Sequence, residues 1–238
     1  MGRKLRHLLI FLLIILKENN NKITTIHSGA FGNVPQLQWF CLNGNQITTI
    51  HSGTFANLPK LQCLHLDRNK ITTIPSDAFG NLPELIKLFL SGNQITIFPT
   101  GAFANLPQLQ QLSLDKNQIT AIPFANLPRL QKLFLNNNQI AIIPSGIFAN
   151  LPQLQWLYLN TNQITTIHSG IFAKLPQLEW LYLNNNQMSA IPLSILCLSP
   201  SNIRIELEGN PWQCDCRMVA VKRIPAFKGI LPAKQEQH

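Results

Sequence analysis

Charge is scarce in this chain: Asp, Glu, Lys and Arg make up 12% of its 238 residues, against 45% hydrophobic. That balance excludes a disordered chain, which needs the reverse proportion, and suits a protein with a continuous apolar spine. Cysteine is also sparse, with five in all, none before Cys41 and none after Cys216. An odd, uneven set of this kind is not a ready disulfide framework. No nucleophile elbow, phosphate-binding loop or pair of catalytic carboxylates occurs, and the serines and threonines recur with a scaffold period. The chain is therefore not expected to be an enzyme. Long apolar runs are missing too: the longest, Leu8 to Leu16, is too short to cross a bilayer as a helix.

The net charge of +9 invites a nucleic-acid or anionic-membrane reading until it is placed along the chain. Residues 1–22 carry +4 through Arg3, Lys4, Arg6, Lys17 and Lys22 against Glu18, and residues 211–238 carry +3. Only +2 is left for everything between. The basic balance belongs to a leader and a tail, so it implies no positively charged groove and no nucleic-acid partner.

What the sequence does have is self-similarity. Leu154-Gln-Trp-Leu-Tyr-Leu-Asn-Thr-Asn162 shares its frame with Leu37, Phe40, Leu42, Asn45, with Leu61, Leu64, Leu66, Asn69, and so on to Leu178, Leu181, Leu183, Asn186. The pattern L-x-x-L-x-L-x-x-N at a period of 20 to 29 residues is the signature of a leucine-rich repeat solenoid. The fold class is accordingly an α/β repeat solenoid, a leucine-rich repeat crescent with a parallel β-sheet on its concave face. In each unit the fourth and sixth positions point into the core, and the third, fifth and seventh face solvent.

The asparagines at 21, 45, 69, 93, 117, 138, 162, 186 and 210 sit where the chain leaves the strand. Their buried amides are expected to satisfy backbone groups of their own and the neighbouring turn. Phe31, Phe55, Phe79, Phe103, Phe124, Phe148 and Phe172 form a second column, a packed aromatic spine on the convex half. The spacing is 24 residues except where Ala121-Ile-Pro-Phe124 lacks three. That deletion falls between the Pro slot and the Phe, so it shortens a convex loop, leaves the strand frame intact and alters the curvature locally.

Residues 1–20 are a signal-like hydrophobic leader or a degenerate first strand. The basic start followed by the Leu8 to Leu16 run has the layout of a secretory signal. Against cleavage, Lys17-Glu-Asn-Asn-Asn-Lys22 offers no small-residue site, and Leu13 and Leu16 fall in the repeat frame. Residues 21–210 are the solenoid, and residues 211–238 a partial cap and basic tail. A solenoid end exposes the apolar cross-section of its last repeat and so needs a cap, which Asn210-Pro-Trp-Gln-Cys-Asp-Cys216 begins.

With that stretch the sequence resembles the extracellular leucine-rich repeat families, in which N-P-W-x-C-x-C opens a C-terminal flanking module. The Ile-Pro-Ser-Gly-x-Phe and Leu-Tyr-Leu-Asn-Asn-Asn wording is similar in particular to the variable lymphocyte receptors of jawless vertebrates. Toll-like, Slit-like and platelet-glycoprotein-like ectodomains share the motif. The resemblance implies that Cys214 and Cys216 would pair with two later cysteines, which this sequence lacks, and it implies an N-terminal flanking module with cysteines that are also absent. The flanking module is thus read as truncated. The chain is expected to be extracellular or secreted, or attached to a cell surface if it is part of a receptor, and its association with membranes and its oligomeric state stay open.

Cys41 and Cys63 lie on adjacent strands but two residues out of register, about 8 Å apart when the interstrand spacing and the rise per residue are combined. That exceeds disulfide reach, and both are read as reduced thiols. Cys197 is expected to pack in a small-residue slot; Cys214 and Cys216 pair with it, pair with another chain or stay reduced. His27, His51 and His168 stand where other repeats have Pro75, Pro99 or Pro144, which marks a solvent-facing loop slot. No metal or cofactor site is expected.

If the scaffold repeats without change, function belongs to the outward columns of the sheet. Three of the 4 Trp and both Tyr fall there. Phe134, Trp156, Tyr158, Trp180 and Tyr182 lie on three consecutive strands, rimmed by Asn136, Asn160, Asn184 and Lys132, with Phe89 in the same column further back. Cross-strand packing would account for such a cluster; so would a recognition surface for a protein or carbohydrate ligand. The reading is a non-enzymatic extracellular recognition protein, in innate immunity by the resemblance. The alternatives are a matrix or adhesion protein and a partial ectodomain of a membrane signalling receptor.

Overall fold

The computed structural model describes residues 22–27, 29–31, 33–122, 126–168, 170–190, 195 and 203–213. Their strands are β1 (Trp39–Cys41), β2 (Cys63–His65), β3 (Lys87–Phe89), β4 (Gln111–Ser113), β5 (Lys132–Phe134), β6 (Trp156–Tyr158), β7 (Trp180–Tyr182) and β8 (Arg204–Glu206). They form one eight-stranded parallel sheet in sequence order. Each strand is only three residues long, because the chain turns away as soon as the sixth-position side chain is buried. The register is the repeat frame itself: Lys132 pairs Trp156, Leu133 pairs Leu157 and Phe134 pairs Tyr158. This is the solenoid the periodicity predicts.

The core runs the length of the stack. Phe40, Leu64, Leu88, Leu112, Leu133, Leu157 and Leu181 at the fourth position and their sixth-position partners are buried. Phe31, Phe55, Phe79 and Phe103 stack in a column with centroids 6.1 to 6.5 Å apart, and Phe148 and Phe172 stack at 6.2 Å. The convex arcs between are chains of turns closed by i to i+3 bonds, such as Ala56 N to Gly53 O at 3.0 Å.

The three-residue deletion leaves the sheet undisturbed. Gln111 pairs Lys132 and Leu112 pairs Leu133 as in the other repeats, while Ile119 N still donates to Asn138 Oδ1 at 3.0 Å. Pro123, Phe124 and Ala125, where the curvature change was expected, lie outside the described residues, as do the leader at 1–20, Cys197, Cys214, Cys216 and the tail.

The asparagine column behaves as a ladder. Asn162 Nδ2 donates to Leu159 O of its own coil at 3.0 Å and to Leu135 O of the preceding coil at 3.0 Å, and its Oδ1 accepts from Ile140 N at 3.0 Å. The same three bonds recur at Asn69, Asn93, Asn117, Asn138 and Asn186. One side chain therefore satisfies buried backbone groups of two coils.

One column was not visible in the repeat frame. The eighth position has a positive φ in every described repeat: Gly44, Gly92 and Gly209 adopt it, but so do Arg68, Lys116, Asn137, Thr161 and Asn185. Thr161, at φ 56°, is the most strained of these because a β-branched residue resists the left-handed region. Two stability outcomes follow from these columns and are measurable by denaturant unfolding. Replacing Asn162 by Ala destabilises by about 2 kcal/mol, since the buried Ile140 N–H loses its acceptor and the Leu135 and Leu159 carbonyls each lose one of their two amide donors. Replacing Thr161 by Gly stabilises by roughly 0.5 to 1 kcal/mol, the left-handed strain removed less the added freedom of the unfolded chain.

Candidate recognition surface on the concave sheet

Because the strands pair in register, each outward position becomes a row of side chains about 4.8 Å apart. In the fifth-position row the order is His65, Phe89, Ser113, Phe134, Tyr158, Tyr182, Glu206. Phe134 stacks on Tyr158 with centroids 4.7 Å apart, and Tyr158 on Tyr182 at 4.4 Å with planes 6° apart. In the third-position row Trp156 and Trp180 lie 5.8 Å apart, and each also touches the Tyr of its own strand. The structure thus brings Phe134, Trp156, Tyr158, Trp180 and Tyr182 into one cluster.

The stacking direction decides what the cluster can do. Rings that stack from strand to strand cover one another's faces, so they present edges and hydroxyl groups to the concave side. The Trp faces are also engaged: Lys132 Nζ stands 4.2 Å from the Trp156 ring centroid, and Arg204 Cζ stands 4.9 Å from that of Trp180. Lys132 is accordingly a partner of Trp156 as well as a rim residue. Burial and the adjacent Tyr182 push Tyr158 up to about 12, so its hydroxyl stays protonated and can donate across the physiological range.

Below the rings, Asn136, Asn160 and Asn184 line a groove of about 730 Å³ together with Phe134, Tyr158 and Tyr182. The rest of its lining is Gln111, Ser113, Asp115, Glu206 and Glu208. These last residues were outside the sequence-based site, although the signal was present: they occupy the same three outward columns. The aromatic residues stand out by type, whereas the carboxylates that close the groove share only their column. Phe89 is separated from the cluster by Ser113; it stacks on His65 at 4.3 Å and borders a smaller hollow of about 260 Å³ with Asp67, Arg68 and Asp115.

Two outward positions are not solvent-facing. Cys63 is 2% exposed and Ser113 is 5% exposed, because a short side chain between longer neighbours is overshadowed. The expected offset of Cys41 and Cys63 holds: Cys41 pairs His65 while Cys63 pairs Trp39, and no disulfide joins them. His27, His51 and His168 are exposed, as a loop slot requires. Among the described residues no group of His, Cys, Asp or Glu could hold a metal ion.

His65 is the other perturbed group on this face. Its Nδ1 lies 3.3 Å from Asp67 Oδ1, and this hydrogen bond, then that to Cys63, raises it to about 9 against the opposing effect of burial. It is protonated at neutral pH and stacks as a cation on Phe89. A group with a raised folded-state value contributes stability fully below its unfolded value of about 6.5 and loses it as pH rises through the folded value. An NMR titration should find His65 near 9 in the native protein and well lower in Asp67→Asn. The stability difference between the two proteins should shrink as pH passes 9.

A leucine rich repeat family profile matches residues 15–71, 59–119 and 123–188, well over half of the chain. Among solved structures the fold is similar to that of a leucine-rich repeat protein of Leptospira interrogans, at 30% identity and a TM-score of 0.74, covering 87% of this chain and 51% of that one. The chain thus spans about half the length of the Leptospira protein. It is also similar to a chain of the octameric complex of Latrophilin 3, Unc5D and the FLRT2 leucine-rich repeat, at 26% identity and a TM-score of 0.68, covering 90% of this chain and 80% of that one. No curated protein sequence matches it. By its repeats, its sheet and these matches, the chain belongs to the leucine-rich repeat family.

Proposed function

We propose that this protein is a non-enzymatic extracellular recognition protein that binds a protein ligand in the groove on its concave face between β4 and β8. Leucine-rich repeat proteins commonly mediate protein binding and are typically not enzymes. The observation that carries the reading is the edge-on aromatic cluster above a groove lined with Asn amides. Ring edges, Tyr hydroxyls and amides suit the mixed apolar and hydrogen-bonding surface of a protein hot spot. Stacking of a sugar on a ring face is disfavoured at the centre of the cluster, because Phe134 and Tyr182 stack on Tyr158 and a cation stands over each of Trp156 and Trp180.

Export rests on the signal-like stretch at residues 3–16, and a role in immune recognition on the resemblance to the variable lymphocyte receptors. One observation favours an adhesion role as the second reading: the FLRT2 leucine-rich repeat, in the octameric complex whose chain this fold resembles, assembles with Latrophilin 3 and Unc5D.

The test is a binding screen of the wild type and the Trp156→Ala/Tyr182→Ala variant against panels of extracellular proteins, glycans and bacterial surfaces, with circular dichroism to establish folding. Tyr182 lines the groove and Trp156 packs beside its neighbour Tyr158, so the variant should lose at least about thirtyfold in affinity for a protein ligand. Full affinity in a folded variant, or retention of a glycan alone, would overturn the reading.

A further inference from the structure

A second ordered face lies on the flank of the solenoid just past the asparagine turn. In each coil the second and fifth residues after the ladder Asn are buried, as with Ile95 and Phe98 or Ile140 and Ile143, while the fourth is exposed. Backbone bonds hold the flank in register: Gln94 N donates to Ile71 O at 2.9 Å, Gln118 N to Ile95 O at 3.0 Å, and Gln163 N to Ile140 O at 2.9 Å. Gln139 N to Ile119 O, also 2.9 Å, carries the same bond across the three-residue deletion. Equivalent residues therefore stand side by side along the stack.

Three large hydrophobic side chains are exposed among the described residues, and two of them share this column. Trp39 lies on the sheet, whereas Ile97 and Ile142, 58% and 66% exposed, are both fourth residues. They are two coil spacings, roughly 10 Å, apart. Between them is Ala121, also exposed. Single exposed apolar residues are ordinary, but three in consecutive coils make a strip.

The order of the strip matters more than its size. From the coil of β2 to that of β6 the column reads Thr73, Ile97, Ala121, Ile142, Thr166, the same residue types in either direction. A two-fold interface requires this property, because residue i of one copy must meet residue j of the other while j meets i. With the axis running across the strip at Ala121, Ile97 meets Ile142 of the partner subunit, and the reverse contact repeats it. Alanine at the axis lets the flanks approach closely enough for the isoleucines on either side to pack.

Charge points the same way. Lys70 is the only Asp, Glu, Lys or Arg in the stretches 70–75, 94–99, 118–123, 139–144 and 163–168, which form this flank on the five coils. Under the two-fold it stands opposite Gln163 of the partner subunit, so no like charges are brought together. For a chain of +9, such a face is where self-association meets little repulsion.

We propose that this flank pairs two copies of the chain in an antiparallel two-fold dimer centred on Ala121. Five coils give a smaller footprint than a permanent homodimer buries, so the dimer forms and dissociates with concentration. None of the groove residues takes part, and pairing gives one particle two concave faces. A ligand that is itself repeated on a surface can then be held at both faces at once.

The test is sedimentation velocity of the full chain across the micromolar range, in reducing agent so that no disulfide links two copies. The wild type should show a monomer–dimer equilibrium. Ile97→Lys and Ile142→Glu each set a charge against an isoleucine at both contacts and should weaken dimerisation at least about tenfold. The double variant sets an ammonium against a carboxylate at both contacts, because position 97 of one copy meets position 142 of the other. It should recover most of the dimer, now weakened by salt. Both positions are exposed in the monomer, so folding is retained, with circular dichroism as the check.

A wild type that stays monomeric overturns the dimer. A dimer that tolerates both single variants overturns the interface, and one that the double variant fails to recover overturns the antiparallel register. Binding of the monomer to phosphatidylcholine vesicles, lost in Ile97→Lys, would assign the strip to a lipid surface instead. The concave reading stands or falls separately, since neither isoleucine lines the groove.

Discussion

Each buried asparagine amide is bonded to two coils at once, and this fixes more than the turn it occupies. With its Nδ2 shared between Leu159 O and Leu135 O, and its Oδ1 taken by Ile140 N, Asn162 can hold only one relative position of neighbouring coils. A slip of one residue would strand three buried polar groups and turn the leucines outward. The ladder therefore sets the register, and the register sets every row on the outer face of the sheet. Even where three residues are missing from a convex loop, Asn138 makes the same bonds and β4 and β5 stay aligned.

In-register parallel pairing has a consequence for surface chemistry. Similar residues at one repeat position stand side by side, so aromatic residues stack along the solenoid and close their faces to solvent. Cross-strand packing and ligand recognition were alternatives when only the sequence was considered. In the structure the two are compatible: the faces of Tyr158 and Tyr182 stack within the sheet, and the proposed recognition calls only on their edges and hydroxyls. The rigidity that stacking supplies also lowers the entropy to be lost when a ligand docks, since these side chains are already ordered.

The scaffold was legible because it is periodic. Leu, Asn and Phe recur at fixed positions, and the rows they predict are the rows found, down to the offset between Cys41 and Cys63. Features that depend on a residue's neighbours in the next repeat were not legible. Cys63 and Ser113 occupy outward positions and yet are buried, because Trp39, Phe89 and Phe134 overshadow them only once the strands are stacked. The left-handed eighth position was concealed by its occupants: Gly44 and Gly92 point to it, but Arg68, Lys116 and Thr161 point away. Ring orientation leaves no trace in a sequence at all, and it is what separates face-stacking from edge recognition.

Net charge illustrates the same limit at larger scale. A chain of +9 would be assigned an anionic partner on composition, yet the concave groove is lined by carboxylates. The local sign follows from where the cations of the sheet are held. Lys132 and Arg204, at the third position, lie over the indole rings of Trp156 and Trp180, and Arg204 also pairs with Glu206. Their charge is directed to one edge of the sheet, while Asp115 and Glu208, at the seventh position, stand on the other. That second margin is mixed rather than acidic, since Arg68 and Lys116 border the same hollow as Asp67 and Asp115. Charge followed residue by residue is therefore a narrower constraint on any partner of this face than the net charge of the chain.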